Sequence, residues 1–288
     1  MWFVLSAIAS PWIPPQGQVR LSAGYQQLVT ERQFASPEAV GRLGPRCPDG
    51  VGAGDRMPFD CTTGGRFANR SLSLGVTVAP VEHLAIDLYL PVVLAAFFED
   101  EVGRTDARGL GDVRLAARAG QVWGGVAVAG TLELKAPTGP AGLVDRDVPL
   151  GDAQWDLIPG VRVGTSLHPW GWLELHNQLV WRLRSARSGI DPGEEWTGSV
   201  VGGFTPVEWG GLQGRGEWIL ALPDTDAFGL SHPGRRLLQV RAGPFVKLES
   251  VWVEVSVTLP VVGRRWPTAP SVGASMTAYF DGFSRRKR

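Results

Sequence analysis

The residues best equipped for chemistry are four histidines, two cysteines and a row of acids interleaved with arginines. His83 and His168 fall in segments that read as turns, and His232 in a loop. His176 lies between Glu174 and Gln178 in a segment of alternating polarity. Hydrolysis by serine needs a nucleophile held beside a base, and the chain has no G-x-S-x-G elbow. The glycine-rich stretches GLGDVR and GGVAVAG lead into no helix that could cradle a phosphate, and metal-ligand spacing is lacking. Neither an enzyme nor a cofactor carrier is expected.

Cys47 and Cys61 are the only cysteines and flank a Gly/Pro-rich stretch. Without a second C-x-x-C pair or a nearby histidine they do not suit zinc. Two readings remain: a disulfide that constrains a loop in an oxidising compartment, or two free thiols.

The charges become interpretable once the elements that carry them are identified. The chain has 288 residues, 28 basic and 28 acidic, so no cationic surplus exists for phosphate contacts and a nucleic-acid partner is not expected. Its mean hydropathy is zero. Twelve tryptophans and 44% apolar residues exclude a disordered chain. No apolar run reaches the roughly 18 residues of a spanning helix.

Alternation is pervasive. Leu72, Leu74, Val76 and Val78 share one face of 71–78, with Ser71, Ser73, Gly75 and Thr77 on the other. The segments VAVAGTLELK (126–135) and VWVEVSVTL (251–259) repeat the pattern. Period two is the signature of a strand, whose successive side chains point to opposite faces. The reading gives about twelve strands, near 19–28, 66–79, 84–97, 111–120, 124–136, 156–167, 172–184, 195–205, 211–222, 236–244, 250–260 and 271–283. Their connections alternate long and short: 29–65, 80–83, 98–110, 121–123, 137–155, 168–171, 185–194, 206–210, 223–235, 245–249 and 261–270. Outer-membrane barrels show that rhythm, with short periplasmic turns and longer extracellular loops.

One face of every strand is nearly free of charge. The other carries Asp87, Arg114, Arg118, Glu133, Lys135, Arg162, Glu174, His176, Arg182, Arg215, Glu217, Arg241 and Glu254. In a closed barrel the apolar face meets lipid, no strand edge is left open, and these charged residues line the lumen. They either tune the selectivity of a pore, with a modest preference for anions, or form an ion-pair ladder that fills it. Trp123, Trp170, Trp172 and Trp209 beside short turns, and Trp155, Trp196 and Trp266 near long loops, suit two interfacial girdles. Trp181, Trp218 and Trp252 are expected deeper, in packing or lumen contacts.

The expected fold is therefore all-β: a transmembrane antiparallel up-and-down barrel of about twelve strands, with both termini periplasmic. Residues 1–18 read as a short leader ending its apolar stretch in Ala7-Ile8-Ala9, or alternatively as a buried N-terminal strand. Residues 19–283 form the barrel, with a long first extracellular loop at 29–65, and 284–288 form a basic tail.

Three segments carry a family likeness: GLGDVRLAARAG (109–120), LELKAPTG (132–139) and GDAQWDLIPGVRVG (151–164). Their order and spacing resemble the outer-membrane channel family named for the phenol-degradation meta pathway. The resemblance implies a barrel related to hydrophobic-compound uptake channels. Three functions stand open. The first is passive passage of small, hydrophobic or aromatic solutes across the outer membrane. The second is a non-conducting barrel that presents its loops for binding, and the third is a soluble secreted all-β binding protein.

Overall fold

The computed structural model describes residues 11–34, 60–99, 103–139, 151, 154–183, 193–225, 231–232, 234–264, 266–267 and 269–281. Its strands are β1 (Gln18–Phe34), β2 (Asp60–Val81), β3 (Leu84–Glu99), β4 (Gly103–Leu110), β5 (Val113–Trp123) and β6 (Val126–Ala136). Next come β7 (Asp156–Ser166), β8 (Gly171–Arg182), β9 (Glu195–Val207), β10 (Gly210–Ala221), β11 (Asp224–Thr225) and β12 (Ser231–His232). The last are β13 (Arg236–Leu248), β14 (Val251–Arg264), β15 (Trp266–Pro267) and β16 (Ser271–Asp281).

Every pairing is antiparallel between neighbours, and β1 joins both β16 and β2, so the wall closes. Twelve strands make the barrel: β1, β2, β3, β5 to β10, β13, β14 and β16. Closure matters because each backbone group left unpaired in hydrocarbon costs several kcal/mol. Strands β6 and β7 have 11 residues each. At ~3.3 Å per residue and a tilt of ~40° they rise about 28 Å, enough to cross the apolar band.

Burial alternates as the sequence requires, but with polar side chains inside. On β6 Ala127, Ala129, Glu133 and Lys135 are buried, while Leu132 is 53% exposed and Leu134 41%. On β7 Asp156, Ile158 and Arg162 are buried and Val161 is exposed. The exposed leucines and valines form the lipid-facing surface of an outer-membrane β-barrel. Trp123, Trp170 and Trp209 are exposed at the short-turn end, and Trp155 and Trp196 at the long-loop end.

The structure corrects several boundaries. Strands β1 and β2 run on into 29–65 and pair as far as Phe34 and Asp60. The turn expected at 121–123 lies at Gly124 and Gly125 instead, both with positive φ (54° and 88°), as a two-residue hairpin turn requires. Most of the segment 98–110, expected as a loop, is β4, which pairs with the second half of β3. Its sequence GRTDARGL carries no apolar alternation, so period two could not reveal it. Short strands also occupy parts of 223–235 and 261–270. Cys47 lies outside the described residues, and so does the side chain of Cys61, whose backbone belongs to β2. Residues 1–10 and 282–288 also lie outside them.

Candidate functional site

The lumen has three levels. At the long-loop end, the three segments that carried the family likeness meet in one junction. β3 pairs first with β5, up to Tyr89 opposite Arg114, and then with β4 from Val92 opposite Leu110. One extra residue is therefore inserted between β4 and β5, a bulge at Gly111–Asp112. It lies opposite Pro91, which has no N–H to donate, and Gly111 N donates to the Pro91 carbonyl (2.7 Å). Thr138 repairs the interrupted ladder. Its hydroxyl donates to Gly111 O (2.7 Å) and accepts from Val113 N (3.0 Å). Asp112 accepts from Gly139 N (3.1 Å), and Lys135 Nζ lies 3.6 Å from Asp112 and 2.7 Å from Asp156. Gly151 must be a glycine there, because a Cβ would collide with the Asp112 carboxylate. Among the described residues β4 pairs with β3 alone.

The middle level is a belt of buried charge held in ion pairs. Asp87 accepts from Arg118 Nε (2.6 Å) and Nη2 (3.0 Å) and from the Thr77 hydroxyl (2.6 Å). Arg114 contacts Glu133 (3.0 Å), and Arg215 contacts Glu217 (3.0 Å). Gln239 donates to Glu217, and Arg241 Nε to the Thr258 hydroxyl (3.2 Å). Glu195 receives Arg182 (2.8 Å) and Arg235 (2.7 Å) nearer the long-loop end. Desolvated charges are costly unless paired, so this pattern of partners is what permits charge on the inner face.

The short-turn end is apolar and aromatic. Phe245 stacks on Trp252 (4.1 Å between centroids, 13° between planes), and Trp172 meets both edge-on (5.5 and 5.6 Å). The rings need the glycines facing them: a Cβ at Gly203 would occupy the Trp172 ring, and one at Gly211 would meet Phe245. Residues 11–17 fold back from β1 beside this cluster. Gly17, with φ of 82°, turns the chain, and its N–H donates to Ala79 O (2.8 Å). Pro11 is fully buried and lies with Trp12 against Gly164 of β7, where any Cβ would displace them.

All thirteen charged or imidazole residues singled out in the sequence have the inward parity of their strands. Asp87, Arg114, Arg118, Glu133, Lys135, Arg162, Arg215, Arg241 and Glu254 are buried, and Glu174, His176, Arg182 and Glu217 are part-buried. Arg20, which the same alternation places inward, is buried as well, and those left out of that reading include Asp112, Asp156 and Glu195, all buried. Asp156 and Glu195 share the inward parity of Arg162 and Ser199, so period two could have found them. Two aromatic placements change. Trp172 points into the lumen instead of joining a girdle, because it shares the parity of Glu174 and His176. Trp181 is not deep: it is 54% exposed near the end of β8. Trp218 lies over Gly198, with Trp196 at 6.3 Å.

No protein-family model matches the chain, and no curated protein matches it by sequence. Among solved structures it is similar to the COG4313 outer membrane channel from Pseudomonas putida F1, with a TM-score of 0.74 and 13% identity over 93% of this chain and 97% of that one. The beta domain of the Bordetella autotransporter BrkA gives a TM-score of 0.51 at 14% identity, over 92% of this chain and all of that one (100%). At such identities the likeness is one of architecture, and the chain has the fold of an outer-membrane β-barrel with a polar lumen.

Proposed function

We propose that the chain is a passive outer-membrane channel for small solutes, with hydrophobic or aromatic molecules among them. The observation that carries this reading is the inversion of polarity: a closed wall that is apolar outside and lined inside by thirteen charged or imidazole residues named from the sequence. Such a lining keeps the interior wet and sets what passes through it. The aromatic floor of Trp172, Phe245 and Trp252 favours solutes with a ring or short chain. The likeness of the 109–164 motifs to the phenol meta-pathway family points the same way. Orientation follows from loop length, with the short turns and both termini on the periplasmic side. Leader cleavage after Ala9 would leave Pro11 and Trp12 free to enter the lumen. Cys47 and Cys61 would staple the first extracellular loop, which thiol labelling before and after reduction would check.

The test is release of entrapped small solutes from liposomes carrying the refolded protein. Small solutes that a bilayer retains, such as a pentose and benzenesulfonate, should leave faster than from empty liposomes, and equal rates would reject the reading. A second reading is favoured by Pro11 and Trp12 lying in the lumen. In it the barrel is a non-conducting scaffold whose first loop binds a partner; deleting that loop would then abolish binding and leave barrel assembly intact.

A further inference from the structure

Most of the inward cations are committed to a carboxylate. Arg114, Arg118, Lys135, Arg182 and Arg215 each reach one within 3.0 Å. Arg241 has its Thr258 contact, and two other buried guanidiniums, Arg162 and Arg20, enter no ion pair among the described residues. Arg162, 7% exposed, leaves its Nε and one Nη without a hydrogen-bond partner. Its ladder neighbours are Ala129 on β6 and His176 on β8, and His176 Nε2 is also unpartnered. Arg20, 8% exposed, lies over the Tyr279 ring at 4.9 Å, and its Nε has no partner.

The local charge does not cancel. Glu174 is within Coulombic reach of both Arg20 and Arg162, and it is not held in any ion pair of the described residues. Asp87 and Glu133, also within reach of Arg162, are taken by Arg118 and Arg114. Two uncommitted cations against one uncommitted carboxylate leave a single positive charge. Buried charge of that kind calls for a counter-charge. Apolar surface adjoins it, since Pro11 and Trp12 cover Gly164, the next inward position of β7 after Arg162. Trp172 stands two inward positions from His176 along β8.

We propose that the unpartnered N–H groups of Arg162, with Arg20 on the far wall and the His176 imidazole alongside, hold the carboxylate of a small amphipathic monoanion whose apolar body rests on the Trp12 and Trp172 side. The solute class is then a monocarboxylate with a short aliphatic or aromatic body. This deepens, and rests on, the reading of the barrel as a channel.

The test uses the full chain in detergent micelles, titrated calorimetrically with benzoate and with benzyl alcohol against a protein-free micelle blank. Benzoate should bind about tenfold more tightly than its uncharged counterpart, the worth of one charge-assisted contact. Arg162→Gln should erase that preference, and Arg162→Lys should restore part of it. Equal binding of the two probes to the unmodified chain, which needs no variant to fold, overturns the site. So does an undiminished benzoate preference in folded Arg162→Gln. Conductance recorded on the same sample separates the two readings. A preference without conductance rejects transport and supports the site; conductance without a preference rejects the site alone.

Discussion

Leu132→Arg should be among the most damaging single changes on the outer wall. Leu132 is 53% exposed at the middle of β6, between ladder partners Ala117 and Pro159, so its side chain meets the centre of the apolar band. An arginine at the bilayer midplane of a barrel costs about 2–4 kcal/mol. That is roughly a 30- to 700-fold fall in the folding equilibrium, at 1.4 kcal/mol per factor of ten. Val126 is on the same outer face of β6 (38% exposed) but lies beside the Gly124–Gly125 turn, where the same substitution should cost only about 0–1 kcal/mol. Reversible folding into lipid vesicles, followed by denaturant titration of both variants, gives the difference. Equal costs for Leu132→Arg and Val126→Arg, or tolerance of both, would show that this face does not meet lipid.

Asp87→Asn removes the charge that Arg118 contacts through two nitrogens with side chains 1% and 9% exposed, and should destabilise the barrel by about 3 kcal/mol in the same titration. Gly164→Val keeps a residue suited to a strand but fills the space of Pro11 and Trp12; it should expel the N-terminal segment and raise single-channel conductance without lowering barrel stability. Gly125→Val places a β-branched residue at φ of 88°, so folding should be weakened by about 1–3 kcal/mol, while the open space around the turn leaves the barrel shape unchanged. Thr138→Val keeps the shape but loses both hydroxyl contacts at the bulge, and should cost about 1–3 kcal/mol per backbone group left unpaired.

Much of the barrel was legible because a membrane strand must alternate. Once Leu132 and Leu134 are assigned to lipid, Glu133 and Lys135 can only face inward. Partner choice was not legible. Lys135 pairs with Asp156 directly across the ladder, but Arg118 reaches Asp87 diagonally, since their ladder partners are Ala85 and Ala116. Only the register decides that. β4 escaped because its residues are polar on both faces and its pairing depends on the extended second half of β3. Trp172 shows two sequence signals in conflict. Proximity to a turn suggested the interface, while parity with Glu174 and His176 placed it inside, and parity prevailed. The return of residues 11–17 into the lumen has almost no local signature. Its clearest trace is remote, in the missing side chain of Gly164.

The decisive measurement is single-channel current across a planar bilayer under a salt gradient, with the protein first shown to be folded by its heat-modifiable gel migration. A wet lumen gives discrete current steps. Their reversal potential should be displaced to the anion side, because Arg20 and Arg162 share between them one nearby uncommitted carboxylate, Glu174. Folded protein inserted in a bilayer that stays electrically silent would contradict the channel.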